Sequence, residues 1–88
     1  MLLVKEFTIE NKLGLHARPS AQLVKSASKF SSQVTVEKEG EVADGKSIIG
    51  IMMLAAGCGS QLKISIEGDD AQEAMDTIEE LIASKFGE

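Results

Sequence analysis

The spacing of the apolar residues switches several times along this 88-residue chain, and these switches constrain the fold more than any other feature. Apolar residues at alternate positions, with polar residues between them, are typical of strands that have one buried face. Leu3, Phe7 and Ile9 form the first such pattern, and the polar stretch "KEGE" predicts a hairpin further along. The sequence therefore predicts four strands, over 3–9, over 34–36, around 42 and over 62–66.

Between these strands the apolar residues recur at the spacing of helices with one buried face. The first helix is predicted to run from about Ala17 to about Phe30, with Pro19 in its first turn, where a missing N–H costs nothing. A second, short helix is predicted to follow Ser47, which is a good N-cap residue, and to end at Gly57.

A third helix is predicted to begin at Asp69 or Asp70 and to bury an apolar stripe that consists of Ala71, Ala74, Met75, Ile78, Leu81 and Ile82. The resulting order β-α-β-β-α-β-α predicts an α+β fold, a two-layer open-faced sandwich in which a four-stranded antiparallel sheet carries three helices on one face. Strand four is expected to fill the gap that the first β-α-β unit leaves. A chain of 88 residues has room for one core, so residues 1–88 are expected to form a single domain.

The charge of the chain and its single cysteine limit the classes of partner. A net charge of -5 disfavours non-specific binding to nucleic acid or to anionic lipid surfaces. Cys58 has no second cysteine with which to form a disulfide or a cysteine-based metal cluster. Lys5 and Glu6 interrupt the short apolar run at the N-terminus, so this run is too short for a secretion signal or a membrane span. We therefore expect a cytoplasmic protein with no membrane insertion, no bound metal and no cofactor.

The only histidine, His16, stands in "NKLGLHARPSAQLV", where a loop leads into the first predicted helix. Backbone N–H groups at a helix start lack partners and carry the positive end of the helix dipole, so they favour a phosphate. Gly14 in the loop and Arg18, whose guanidinium can bind a phosphate in bidentate fashion, complete a candidate anion site. The same dipole disfavours the imidazolium form and leaves a ring nitrogen free as a nucleophile. This pattern predicts that His16 accepts and releases a phosphoryl group.

Other interpretations of His16 fit the same residues. A lone histidine at a helix start often serves as a cap or an ordinary exposed residue, in which case the chain is an α+β binding module. An enzyme with its own small substrate is disfavoured, because the sequence has no metal-binding carboxylate cluster, no glycine-rich phosphate loop and no Ser-His-Asp set. A phosphoryl-group carrier fits better than an enzyme.

Three segments, "GLHARPS", "KSIIGIMML" and "GDDAQEAMDTIEEL", together resemble HPr, the histidine-containing phosphocarriers of the bacterial phosphoenolpyruvate-dependent sugar phosphotransferase system. The resemblance covers essentially the whole chain. It implies that His16 takes a phosphoryl group on Nδ1 from phosphorylated Enzyme I and passes it to a histidine of an EIIA domain for sugar uptake. Gly14 would lie in the phosphate site and shape its loop with Leu15, while Arg18 and the N–H groups of Ala17 and Arg18 would hold the phosphate.

The second segment implies regulation and docking. "KSIIGIM" resembles the stretch that HPr kinase/phosphorylase modifies in low-GC Gram-positive members, so Ser47 is the implied phosphoacceptor, and a catabolite-control transcription factor is a further implied partner. Ser47 would serve equally well as an N-cap if it were never modified. The short helix has more apolar surface than it can bury, and the expected docking surface consists of Leu15, Ile48, Ile49 and Met52.

Two points of the resemblance stay open. Ser20 stands where many members have alanine, and its hydroxyl either lies near the phosphate or has no effect. The same phosphohistidine chemistry would also serve a nitrogen-type or regulatory HPr in an incomplete relay. A monomer is expected in either case.

Overall fold

Four strands and three helices follow one another in the order that the sequence predicts. A computed structural model describes residues 1–88. The strands are β1 (Leu2–Thr8), β2 (Gln33–Lys38), β3 (Glu41–Asp44) and β4 (Gln61–Glu67), and the helices are α1 (Ala17–Ser28), α2 (Ile48–Met53) and α3 (Ala71–Ala83). A short 3-10 turn at Lys85–Gly87 follows α3 and is absent from the prediction.

The sheet has the strand order β1-β4-β2-β3, and every neighbouring pair of strands is antiparallel. β4 lies between β1 and β2, so the prediction that strand four fills the gap is confirmed. Val36 pairs with Ile64 on one side and with Ala43 on the other, and all three side chains are buried. On the same face Lys5 of β1 forms an ion pair with Glu79 of α3 at 3.0 Å. The predicted open-faced α+β sandwich is confirmed.

One apolar core fills the space between the sheet and the helices. Its largest fully buried members from the strands and helices are Leu23, Val34, Val36, Ile51, Leu62, Ile64, Ile66, Met75 and Ile78. Burying one such side chain stabilises the fold by about 1.5–3 kcal/mol. Phe86 of the 3-10 turn is also only 2% exposed. The residues after α3 are therefore fixed against the core.

α2 ends at Met53, so the predicted end at Gly57 is wrong. Ala55 has a φ of 52°, a left-handed conformation with which a helix cannot continue. The Nζ of Lys38 donates hydrogen bonds to the carbonyl groups of Leu54 at 3.1 Å and Ala55 at 3.2 Å. These bonds satisfy carbonyl groups that the helix end leaves free, and the positive charge suits the negative end of the helix dipole.

Asp70 fastens the start of α3 to the loop before β2. Its carboxylate accepts hydrogen bonds from the backbone N–H groups of Ser31 and Ser32, each at 2.9 Å, and from both hydroxyl groups. Hydrogen bonds to the charged form, that from the Ser32 hydroxyl foremost, lower the pKa of Asp70 from 3.8 to about 2. Because the pKa is lower in the folded state, the carboxylate stabilises the fold above about pH 4, and this contribution is lost as the pH falls through about 2.

We expect Asp70→Asn to lower the urea concentration at the unfolding midpoint at pH 7, because a neutral amide accepts weaker hydrogen bonds from the same donors. The difference from wild type is expected to shrink as the pH falls from about 4 towards about 2, where the wild-type carboxylate is protonated as well. Urea titrations followed by circular dichroism at several pH values measure it. Asp69→Asn, at the exposed neighbour, is the control. A difference that stays constant with pH would contradict this role of the carboxylate.

Candidate functional site

His16 is the N-cap residue of α1, with an extended backbone at φ -75° and ψ -168°. Its imidazole makes no cap hydrogen bond, so the ring is available to other groups. Pro19 has no N–H, and the N–H of Ser20 bonds to the carbonyl of His16 at 3.0 Å. The N–H groups of Ala17 and Arg18 are therefore the free donors of the first turn, at the positive end of the helix dipole. These are the two N–H groups that the resemblance assigns to the phosphate.

The side chain of Arg18 is exposed, and it forms no ion pair with an acidic residue of the chain. The first turn of α1 contains no acidic residue either. The guanidinium can therefore turn towards an anion at the helix start without breaking an existing contact. A bidentate contact to a phosphate would add to the two backbone donors.

Gly14 shapes the loop in front of the histidine. Its φ of 67° lies in the left-handed region that favours glycine, and a Cβ at this position would lie 2.6 Å from the Cα of Gly57. The N–H of Gly14 donates to the carbonyl of Asn11 at 3.1 Å, so it is not a free donor for a phosphate. The role of Gly14 that the geometry supports is the close approach of the loop to Gly57.

Leu15 and Ser20 hold the same loop from the inside. Leu15 is 4% exposed, and its N–H donates to the carbonyl of Ala56 at 2.8 Å. Ser20 is fully buried, and its hydroxyl donates to the carbonyl of Leu15 at 3.0 Å. The open question about Ser20 is thereby answered, because this hydroxyl holds the loop. The expected place of Leu15 in the docking surface is corrected, because a side chain packed in the core offers a partner almost no area.

Glu88 is a residue of the site that the sequence did not indicate. Its Oε2 lies 2.8 Å from Nε2 of His16, and both side chains are partly exposed. With a carboxylate at Nε2, the neutral ring carries its hydrogen on that nitrogen and keeps its lone pair on Nδ1. No local pattern could have shown the contact, since 72 residues separate the two positions.

Ser47 is the N-cap residue of α2, as predicted, and its hydroxyl accepts a hydrogen bond from the N–H of Gly50 at 3.1 Å. Beyond it lies an exposed apolar surface. Ile48 is 42% exposed, Ile49 67% and Met52 40%, and Met53, which is not among the expected docking residues, is 75% exposed. We call these four residues the α2 patch. Ile51 and Leu54 of the same segment are buried in the core.

The site is an open surface. The three surface grooves of the molecule are lined by residues other than His16, and the largest, of about 420 Å³, lies along the ends of β2 and β4. No group of three or more histidine, cysteine, aspartate or glutamate side chains is placed to hold a metal ion. None of the helices is long and apolar enough to cross a membrane. An open surface of this kind gives a protein partner direct access to the histidine.

Comparison with known proteins indicates one family for this chain. Residues 3–84 match the family model of the PTS HPr component phosphorylation site. The phosphocarrier protein HPr of Cupriavidus necator is 53% identical over 99% of this chain and 98% of its own length. The crystal structure of HPr-C-His from Thermoanaerobacter tengcongensis has a TM-score of 0.94 at 51% identity, over 98% of this chain and 97% of that one. An HPr dimer from the same organism has a TM-score of 0.80 at 55% identity, over 96% and 99%. The chain therefore belongs to the HPr family, the phosphocarrier proteins of the phosphotransferase system.

Proposed function

We propose that this protein accepts a phosphoryl group on Nδ1 of His16 from phosphorylated Enzyme I and passes it to a histidine of an EIIA domain for sugar uptake. The observation that carries the proposal is the placement of a partly exposed imidazole at the start of α1, with Nε2 on Glu88 and Nδ1 without a partner. The proposal treats residues 1–88 as one HPr-like domain that acts as a monomer in the cytoplasm. Dimerisation is a property of the T. tengcongensis structure.

Each transfer exchanges one N–P bond for another. The lone pair on Nδ1 of His16 attacks the phosphorus atom, a new N–P bond forms, and the N–P bond to the donor histidine breaks, with its electron pair returning to the donor ring. The bound phosphoryl group is stabilised by the N–H groups of Ala17 and Arg18 and by the Arg18 guanidinium. Transfer to the EIIA histidine is the same exchange in the opposite direction. The chain needs no general base, because Nε2 keeps its hydrogen throughout.

We assign the docking of Enzyme I and of the EIIA domain to the α2 patch. Its four side chains are exposed and apolar, and methionine adapts to surfaces of different shape. The patch is tied to the histidine loop through the segment that follows α2, because the carbonyl of Ala56 accepts the N–H of Leu15. A partner that binds the α2 patch would therefore lie beside the loop that carries His16.

The direct test combines phosphoenolpyruvate, Enzyme I and the protein, and follows the intact mass. We expect one added phosphoryl group that is lost in acid and that moves to an EIIA domain when one is added. A panel of EIIA domains of sugar permeases and of nitrogen-type relays identifies the acceptor. If the phosphoryl group moves only to a nitrogen-type acceptor, the function is a regulatory relay and not sugar uptake. If no Enzyme I gives an adduct, the protein is a binding module.

Ser47 is the proposed site of phosphorylation by HPr kinase/phosphorylase, with a catabolite-control transcription factor as a reader of that state. A phosphate would add about -1.5 to -2 charges at the start of α2, where the helix dipole tolerates them. The fold then needs no rearrangement. The added charge acts on partners that dock on the neighbouring patch.

We expect Ser47→Asp to lower kcat/KM for transfer from Enzyme I by about tenfold, because the new charge lies beside the docking surface, and to do so less at high ionic strength. Intact-mass spectra recorded at a series of reaction times, at two salt concentrations, give the rates. Aspartate is itself a good N-cap residue, so the free energy of unfolding should stay within about 0.5 kcal/mol of wild type. Ser65→Asp adds the same charge on the opposite, open face of the sheet and is the matched control. Equal rates for Ser47→Asp and wild type would refute the regulatory role.

A further inference from the structure

Asn11 links the histidine loop to Glu88. It is only 3% exposed, and its Nδ2 donates to the carbonyl of Gly14 at 2.6 Å and to Oε1 of Glu88 at 3.3 Å. The other carboxylate oxygen of Glu88 lies on Nε2 of His16. One amide nitrogen thus connects the loop in front of the histidine with the group that contacts its ring.

We infer that Asn11 is a positioning residue for His16: by holding Glu88 against Nε2, it leaves Nδ1 as the nitrogen that reacts. The inference rests on the proposed phosphoryl chemistry of His16 and adds to it the choice between the two ring nitrogens. Asn11 touches neither the ring nor the phosphoryl group. It acts on the ring through Glu88, and its second hydrogen bond, to the carbonyl of Gly14, holds the loop in front of the histidine.

The placement of Glu88 needs such an anchor. Lys85 and Phe86 both have a φ of 56°, so the chain turns sharply after α3. The buried Phe86 and the hydrogen bond from the N–H of Glu88 to the carbonyl of Lys85, at 3.0 Å, hold the backbone of this turn but not the carboxylate of Glu88. A carboxylate held through one oxygen can rotate about its side-chain bonds. A second hydrogen bond on the other oxygen, from the buried Asn11 amide, fixes the plane of the carboxylate and therefore the hydrogen-bond direction offered to the imidazole.

The unpaired oxygen of the Asn11 side chain also supports this role. Its Oδ1 is buried and has no hydrogen-bond partner. A buried polar oxygen without a partner destabilises the fold, and an apolar residue of similar size would avoid this penalty. We therefore attribute the presence of asparagine at position 11 to the hydrogen bonds that Nδ2 donates.

The choice of nitrogen can be read without any partner protein. Phosphoramidate phosphorylates imidazole directly: the nitrogen lone pair forms an N–P bond, the P–N bond of phosphoramidate breaks, and ammonia leaves with the electron pair. The anionic reagent is kept from Nε2 by the carboxylate of Glu88, which occupies that side of the ring. We therefore expect the wild-type adduct on Nδ1.

The first variant is Asn11→Asp, which keeps the shape of the side chain and replaces its donor by an acceptor. The new carboxylate repels that of Glu88, so the ring is released. We expect the ratio of Nε2 to Nδ1 adduct, measured by 15N and 31P NMR, to rise by about tenfold. The ring 15N shifts of the unmodified protein should move from a single tautomer towards a mixture. Gln33→Glu, which adds the same charge at an exposed position of β2, should leave both readouts unchanged.

The double variant Asn11→Asp with Glu88→Gln separates positioning from a general loosening of the loop. The new amide at position 88 can accept from Nε2 of His16 and donate to the new carboxylate at position 11, which restores the link with reversed polarity. We expect most of the change in adduct ratio to be recovered, a coupling that independent defects do not show. Changes that simply add would overturn the inference, as would an unchanged ratio in folded Asn11→Asp.

One further variant tests the inference if the first does not fold. If Asn11→Asp fails to fold, Glu88→Gln alone is expected to raise the Nε2 share of the adduct, because one amide cannot accept from both neighbours; no rise would overturn the inference. Enzyme I is absent from these assays. Failure of transfer from Enzyme I would therefore count against the proposed function, and an unchanged adduct ratio against the positioning role.

Discussion

Replacing His16 by glutamine is expected to abolish phosphoryl transfer from Enzyme I, with a fall in rate of more than about a thousandfold. An amide has no nucleophilic nitrogen, and the chain has no second histidine to take over. The fold should be little affected, because the imidazole makes no cap hydrogen bond and is 36% exposed. We expect the free energy of unfolding to change by about 0.5 kcal/mol or less.

Intact mass after incubation with phosphoenolpyruvate and Enzyme I measures the effect, and urea unfolding of the same sample confirms that the variant is folded. Lys12→Gln, at an exposed residue of the same loop, is the control and should accept the phosphoryl group fully. Arg18→Ala should slow transfer without abolishing it, because the backbone N–H groups of α1 remain. An acid-labile adduct on folded His16→Gln protein would show that another residue is the acceptor.

The elements of the fold could be predicted because each depends on a local pattern. The alternation around Val34 and Val36 and the stripe of α3 are visible within a few residues, and the resulting strand order leaves one place for β4. The end of α2 could not be predicted in the same way. The apolar pattern continues through Leu54 and Ala56, and only the left-handed Ala55 and the distant Lys38 stop the helix.

The residues of the site also divide into those that the local sequence predicts and those that depend on tertiary contacts. His16, Arg18 and the free N–H groups follow from a motif and a helix start, both of which are local. The contacts of Glu88 with His16 and Asn11 join positions 72 and 77 residues apart, and they depend on the turn after α3. The sequence does not show that Leu15 is buried, because its burial depends on the tertiary contact with Ala56.

The close approach of Gly14 to Gly57 explains why the loop tolerates no side chain at position 14. A Cβ there would meet backbone atoms, including the Cα of Gly57 at 2.6 Å, and backbone cannot move aside as a flexible side chain can. The left-handed φ of 67° adds a further cost of about 1–2 kcal/mol for any residue with a Cβ. The loop that carries Leu15 and His16 must shift to relieve the clash.

We therefore expect Gly14→Ala to lower the free energy of unfolding by about 3 kcal/mol or more, a large part of the 5–15 kcal/mol typical of a small domain. Gly40→Ala is the matched control, because Gly40 has a similar left-handed φ of 86° but no atom near the new methyl group. It should lose only about 1 kcal/mol, which is the backbone cost without the clash. Urea titrations of both variants give the difference. The folded fraction of Gly14→Ala should also accept the phosphoryl group more slowly than Gly40→Ala, because the displaced loop carries the histidine. Equal losses of stability in the two variants would mean that the loop yields freely and that backbone strain alone selects glycine at position 14.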